Sequence, residues 1–303
     1  MKEKVTYVRG EDGKIHRIPE LAPPKRGWKK AVIALLVLAV LAVAGILTVK
    51  ILTREQDFVE TYYHVQSEKL TGDVRVALLS DLHLREFGSG NKDLISRIEE
   101  LKPDLIAIAG DMNQQDNSDH TVVVELCRAL VNIAPVYYAV GNHEWSLIVN
   151  EGSSLGADIE ATGVHLMTNK EETIEVKGNT IKIGGLAEAP MQYEEYGKGF
   201  LENFAQGNEF KLLLVHYPEY FEELLVDAGI DVALCGHAHG GQVRIPGIGG
   251  LYTVDQGWFP KLTEGVHEVN DTSVVISRGL GDSNKLPRIN NAPELVIVDL
   301  NWY

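Results

Sequence analysis

The chain has 303 residues, 43 acidic against 28 basic, a net charge of −15, 45% hydrophobic content and two cysteines. That length suits one large domain or two small ones, and the composition is globular, which excludes wholesale disorder and collagen-like order. Two cysteines exclude a disulfide scaffold or a cysteine-rich zinc module, and the acidic balance argues against nucleic acid as a partner. The charge is unevenly placed. The first 52 residues carry ten Lys/Arg and four Asp/Glu, a net of +6, whereas the remainder carries 18 and 39, a net of −21.

In chain order, residues 1–24 hold Gly13, Pro19, Pro23 and Pro24 with little periodicity and read as a mobile tail. Residues 31–49 then run for nineteen positions without a charge. As a helix this stretch spans roughly 28 Å, close to the hydrocarbon thickness of a bilayer. A cleaved signal peptide is the alternative, because Ala42-Val43-Ala44 resembles a small-residue cleavage site. The apolar run is long for a signal core, however, and Ile46, Leu47, Val49, Ile51 and Leu52 continue beyond that site. A buried core helix would need a polar face, and none interrupts the run. The expectation is a transmembrane anchor over 31–52, with the lipid bilayer as its partner. Lys25, Arg26, Lys29 and Lys30 crowd its N-terminal side beside Trp28, while only Lys50 and Arg54 follow before Lys69. The positive-inside rule then leaves residues 1–30 as a cytoplasmic basic tail and places 53–303 outside, in a single-pass protein of the cell membrane. Cys127 and Cys235 fall in apolar patterns and are expected as buried thiols.

A spacer with alternating Val59, Thr61, Tyr63 and Val65 leads into the domain proper. Five short apolar runs follow, each ending in a polar cluster. Val74–Leu79 meets Ser80-Asp81-Leu82-His83, and Leu105–Ala109 meets Gly110-Asp111. Residues 136–140 meet Gly141-Asn142-His143-Glu144, 212–215 meet His216, and Val232–Cys235 meets Gly236-His237-Ala238-His239. Helical faces lie between them: Leu94, Ile95, Ile98 and Leu101; Val123, Leu126, Cys127, Leu130 and Val131; and Phe221, Leu224, Leu225 and Ala228. Buried strands alternating with amphipathic helices predict an α/β fold with largely parallel sheet, whose ligands gather at the carboxyl ends of the strands. Segments 172–175, 180–184, 266–269 and 274–276 read as antiparallel, so the expectation is a pair of mixed sheets.

The polar clusters collect Asp81, His83, Asp111, Asn142, His143, His216, His237 and His239, which include five of the ten histidines. Imidazole, carboxylate and amide oxygen suit borderline to hard divalent metals such as Mn, Fe or Zn. Asp111 has two carboxylate oxygens, enough to bridge two such ions. Any one of these residues is as readily a buried histidine or a capping aspartate. Eight at strand ends, with Gly110, Gly141 and Gly236 allowing tight turns, predict a single centre.

The order D-x-H, GD, GNHE, a lone His and GHxH resembles the calcineurin-like metallophosphoesterase superfamily. CGHAHGGQVRIP at 235–246, SRGLG and LPRINNAPEL within 277–295, and the N-terminal anchor resemble its membrane-anchored bacterial branch, over roughly residues 57–300. The resemblance implies a four-layer α/β/β/α sandwich of two mixed sheets over 53–303. It implies two divalent metal ions, manganese foremost, with iron, zinc or magnesium as alternatives. Asp81, His83 and His239 would hold the first, Asp111 would bridge, and Asn142, His216 and His237 would hold the second. His143 would touch the leaving group or a phosphate oxygen rather than a metal. The implied reaction is hydrolysis of a phosphodiester, diphosphate or phosphomonoester by in-line attack of a hydroxide shared between the metals. One departure is GDMNQQD at 110–116, more polar than the usual GD loop.

Arg85, Arg244, Arg278 and Arg288 are candidates for phosphate contacts, each equally readable as surface charge, with Arg278 first. The apolar, glycine-rich stretch from Ile245 to Tyr252 reads as a turn between strands, or as a surface for an acyl chain or the bilayer. Gly152-Ser153-Ser154-Leu155-Gly156 matches a nucleophile elbow, but only the short run 146–149 precedes it. His143-Glu144 lacks the second histidine of H-E-x-x-H. The partners expected are the membrane and a phosphate-containing small molecule or lipid, with no nucleic acid and no obligate protein partner evident. The alternative function is a catalytically silent scaffold that keeps the fold and docks proteins.

Overall fold

The computed structural model describes residues 6–9, 13–18, 27–52, 57–187, 194, 197–282 and 287–302. The chain forms two units, Met1–Ile51 and Leu52–Tyr303. In the first, β1 (Thr6–Arg9) and β2 (Ile15–Ile18) pair antiparallel, with Thr6 opposite Ile18 and Arg9 opposite Ile15. The stretch read as a tail without periodicity thus contains a hairpin. Thr6-Tyr7-Val8 and Ile15 supply β-branched and aromatic residues, and Gly13 at φ 76° takes a turn conformation that other residues resist. Helix α1 (Gly27–Leu52) follows, and its segment Gly27–Ile46 is long and apolar enough to cross a membrane. The Thr48 hydroxyl donates to the Ala44 carbonyl at 2.8 Å, so this polar side chain satisfies itself within the helix.

The second unit is built on two six-stranded sheets. One runs β3 (Val59–Gln66), β18 (Glu294–Asn301), β4 (Val74–Leu79), β5 (Leu105–Ala109), β6 (Val136–Ala139), β7 (His165–Leu166). In it β18 lies parallel to β3 and antiparallel to β4, while β4 to β7 are all parallel. The other runs β8 (Lys170–Val176), β9 (Asn179–Leu186), β10 (Phe210–Val215), β11 (Val232–Cys235), β17 (Thr272–Ile276), β16 (Gly265–Val269). Its four central strands are parallel and both edges are antiparallel. The segments read as antiparallel are therefore hairpin edges whose inner strands, β9 and β17, join a parallel centre. The stretch read as a spacer is edge strand β3.

The central strands β5, β6 and β11 are apolar almost throughout, and β4 and β10 are so but for Arg75 and Lys211, because each has two covered faces. Val76, Leu78, Leu105 and Ala107 meet Ile183, Leu212, Leu214, Val232 and Leu234 between the sheets. On the outer face of the first sheet, Ala77, Leu79, Ile106 and Ile108 pack under α2 (Lys92–Leu101), α3 (Thr121–Leu130) and α5 (Leu155–Glu160). On the outer face of the second, Leu213, Val215, Ala233 and Cys235 pack under α6 (Lys198–Phe204) and α7 (Tyr220–Glu223). The layers are helix, sheet, sheet, helix. The third helical face gives only the single turn α7. Leu225 N–H returns to Tyr220 O at 2.9 Å and Gly229 at φ 67° turns the chain into β11. Residues 146–150 form one π-helical turn rather than a strand, so the serine sequence has no elbow geometry; Ser154 Oγ simply donates to Asp158 at 2.7 Å.

Both cysteines are buried free thiols, and burial pushes Cys127 up to about 12. The inter-sheet layer is one of three buried apolar layers, and Leu78 lies fully buried in it. Leu78→Ala should cost about 2–5 kcal/mol in chemical denaturation, against about 0.5 kcal/mol or less for the exposed control Val149→Ala. Equal effects would contradict this layering.

Candidate metal centre

The carboxyl ends of β4, β5, β6, β10 and β11 converge at one end of the two sheets. Beyond β4 and β5 the backbones stay in register: Asp81 N–H donates to Gly110 O at 2.9 Å and His83 N–H to Asp111 O at 3.1 Å. Across the sheets, Leu280 N–H donates to Ser80 O at 3.0 Å. Five of the side chains concerned sit on left-handed backbone, at φ 51° for Asp81, 49° for His83, 55° for Asp111, 67° for His237 and 46° for His239. Non-glycine residues rarely adopt that region, and such strain gathers at functional sites. Gly110, itself at φ 82°, permits the approach, because a Cβ there would lie 2.5 Å from Gly141 N and 2.8 Å from His216 Nδ1.

Three overlapping triads result, each able to hold a metal ion: Asp81, His83 and His239; His83, Asp111 and His143; and Asp111, His216 and His237. In the first, His83 Nε2 faces His239 Nε2 at 3.2 Å, and His239 Nε2 lies 3.5 Å from Asp81 Oδ1. In the third, His216 Nε2 is 3.2 Å from Asp111 Oδ2, and His237 Nδ1 is 3.1 Å from His216 Nε2. The His216 Nδ1–H donates to Ala109 O at 2.7 Å, which leaves Nε2 turned toward Asp111. His143 differs. Its Nδ1 accepts from Gln115 N–H at 3.0 Å, which puts the neutral ring's proton on Nε2, 3.7 Å from Asp111 Oδ2. In that tautomer Nε2 is a hydrogen-bond donor.

The electrostatics fit a cation. Burial raises the Asp81 carboxyl, and Asp111 raises it further. Burial acts on Asp111 in the same direction, but the imidazoles of His216, His143 and His83 outweigh it and hold that carboxyl well below its ordinary value. Burial lowers His83 to about 3 and lowers His239 strongly, so both rings are neutral. Arg288 Nη2, which can only donate, lies 3.2 Å from His239 Nδ1, so the one His239 proton sits on Nε2 and faces His83 Nε2. Two neutral imidazoles in a dry site, beside a buried carboxylate, are a donor set for a divalent ion once the proton between them is released. Asn142 Oδ1 is also buried without a hydrogen-bond partner.

The sequence profile of the calcineurin-like phosphoesterase family matches residues 74–241, which span all of these positions. The chain belongs to that family. It is 28% identical over 256 residues to the uncharacterized metallophosphoesterase YkuE of Bacillus subtilis (strain 168), covering 81% of this chain and 87% of that one. It is 27% identical over 236 residues to phosphodiesterase YaeI of Escherichia coli (strain K12), covering 75% and 82%. A zebrafish (Danio rerio) relative named as a transmembrane protein with a metallophosphoesterase domain is 29% identical over 239 residues, covering 75% of this chain and 54% of the relative. Family and relatives support a phosphoester hydrolase.

Of the residues singled out in the sequence, the structure brings Asp81, His83, Asp111, His143, His216, His237 and His239 together and puts Asn142 at the start of α4 (Asn142–Trp145). Arg278 is engaged elsewhere. Its Nη2 donates to Glu294 at 2.9 Å and its Nε lies 3.5 Å from Glu264. Arg244 pairs with Glu264 as well, and Arg85 lies over the Phe87 ring. Arg288 is the arginine beside the centre, with Nη2 3.2 Å from His239 Nδ1 and Nε donating to Asp282 at 2.8 Å. Sequence reasoning assigned no role to Glu144. Its buried carboxylate accepts N–H groups from Asp111 at 2.7 Å, Asn113 at 2.8 Å and Gly141 at 2.9 Å, tying two site loops together. Its position in GNHE, one residue after His143, was the available signal.

Burial lowers His216, but Asp111 more than offsets it and holds the imidazole up to about 10. At neutral pH a cation must therefore displace a proton from His216. Cation affinity should rise about tenfold per pH unit up to about pH 10, read by Mn²⁺ titration of metal-free protein between about pH 6.5 and about pH 8.5. An affinity that does not change over that range would contradict the assignment.

Proposed function

We propose that this chain is a dinuclear-metal-dependent phosphoesterase acting on a phosphodiester, diphosphate or phosphomonoester presented at a membrane. The observation that carries this reading is a chain of three triads, the first joined to the second by His83 and the second to the third by Asp111, with the Nε2 atoms of His83 and His239 facing each other at one end and His216 and His237 at the other. Asp81, His83 and His239 would hold one ion, Asn142, His216 and His237 the other, and Asp111 both. Two such ions supply an activated water and a positive field for phosphate oxygens.

The chain's own residues supply the rest. Asn142 contributes an oxygen without negative charge, which keeps the site more attractive to a phosphate anion than a third carboxylate would. The Gln115 backbone keeps the His143 proton on Nε2, where it can donate to a phosphate oxygen or the departing alkoxide. The polar GD loop thus has a definite task, to fix the proton donor. Glu144 keeps Asp111 and Asn142 in register by holding the backbones of both loops.

The apolar helix and the cluster of Lys25, Arg26, Lys29 and Lys30 support a single-pass membrane protein with residues 1–30 in the cytoplasm and 53–303 outside it. The anchor makes the bilayer a partner and favours a phosphate group borne by a membrane-proximal molecule. The acidic catalytic unit disfavours nucleic acid.

Manganese-loaded full-length protein should hydrolyse bis-p-nitrophenyl phosphate, with Asp111→Ala and His237→Ala losing the activity. His143→Ala should keep its metal content and lose about 10²–10⁴ in rate. Metal-loaded protein inert toward every phosphoester tried would sink the enzyme reading in favour of a binding scaffold.

A further inference from the structure

The His237 ring is held from three sides. Tyr217 packs against it with ring centroids 4.3 Å apart, His216 Nε2 lies 3.1 Å from its Nδ1, and Asp255 Oδ2 lies 2.5 Å from its Nε2. Asp255 lies in the turn between β14 (Tyr252–Thr253) and β15 (Gly257–Trp258), a hairpin that follows β12 (Arg244–Ile245) and β13 (Gly249–Gly250). It stands eighteen residues beyond His237, and no motif links the two.

The hairpin is fastened in place by the next residue. Gln256 N–H donates to Thr253 Oγ1 at 3.1 Å, and its side-chain amide donates to Glu219 at 2.7 Å and to Leu262 O at 2.9 Å. Its amide oxygen accepts N–H groups from Lys261 and Leu262 at 3.1 and 3.0 Å. With five bonds fixing Gln256, the Asp255 carboxylate is presented to His237 rather than left to sample solvent. Val254, Trp258 and Phe259 around it are exposed.

A carboxylate can only accept, so the imidazole proton belongs on Nε2 and the Nδ1 lone pair faces His216 and Asp111. We infer that Asp255 is a positioning residue for the second cation, fixing the tautomer and orientation in which His237 Nδ1 is free to bind metal. This rests on the two-cation reading above. A carboxylate behind a metal-binding imidazole also makes the ring a better donor, and loss of such a partner typically weakens metal binding by about 10–100-fold. A simple exposed ion pair would have no such effect on a metal.

The test is Mn²⁺ binding to metal-free full-length protein in detergent, with free ion followed by electron paramagnetic resonance. Wild type should show two sites. Asp255→Ala should leave one site as in wild type and weaken the other by about 10–100-fold. Asp255→Asn, which can still accept the N–H but carries no charge, should lie between them, and Asp255→Glu should restore binding. The side chain is part-exposed, so these variants should melt with wild type, and a thermal scan checks that they do. Two wild-type-like sites in Asp255→Ala, or equal weakening of both, overturns the role of Asp255 while leaving the two-cation centre standing. Fewer than two sites in wild type overturns both.

Discussion

Two carboxylates, Asp81 and Asp111, are closed off from water among five imidazoles, and the catalytic unit is organised around keeping them there. Buried charge is tolerated only with compensation close at hand. Asp111 has it from His216 and from the His143 N–H, which donates to its Oδ1 at 2.9 Å. Asp81 accepts the His237 N–H through both oxygens at 3.1 Å, yet burial still drives its carboxyl upward. That residual deficit, beside two neutral histidines, is what a divalent cation would remove. The left-handed backbone at five of these positions costs about 1–2 kcal/mol each for a non-glycine residue. It persists because the strand ends on either side are locked by two covered sheets.

The sheets explain why the cluster can be dry and ordered at once. Parallel strands packed on both faces interlock with two layers of side chains, so a shift in register would disrupt close packing on both sides. The loops at their carboxyl ends inherit that rigidity. Glu144 extends it sideways by binding the Asp111 and Gly141 backbones with one carboxylate, and the Ser80–Leu280 hydrogen bond extends it across the sandwich. The site is therefore assembled from side chains whose positions are set by backbone contacts, with His216 oriented by Ala109 O and His143 by Gln115 N–H.

Much of this was legible in the sequence, for a physical reason. Strands buried on both faces appear as unbroken apolar runs, and a polar cluster directly after such a run lies at a strand end, so the five ligand-bearing turns could be read locally. Helices α2 and α3 over the first sheet were equally visible from their periodicity, whereas α5 was not. What stayed hidden depends on contacts between distant segments. The alternation at Val59, Thr61, Tyr63 and Val65 marks a strand, but only pairing with β18 makes it part of the sheet rather than a spacer. Arg278 looks available for phosphate until Glu294, sixteen residues on, is seen to hold it. The third helical face was cut short by a return to Tyr220 O that periodicity does not register. Asp255 sits in a short hairpin with no pattern of its own, and its meaning comes only from the imidazole it touches.

The central claim is that Asp111 joins two cation positions in one buried centre. Anomalous diffraction at the manganese edge from crystals of the manganese-loaded protein tests it most directly. The account predicts two peaks per chain, one contacted by Asp81, His83 and His239, the other by Asn142, His216 and His237, with Asp111 touching both. A single peak, or peaks that leave Asp111 without a metal contact, would contradict it.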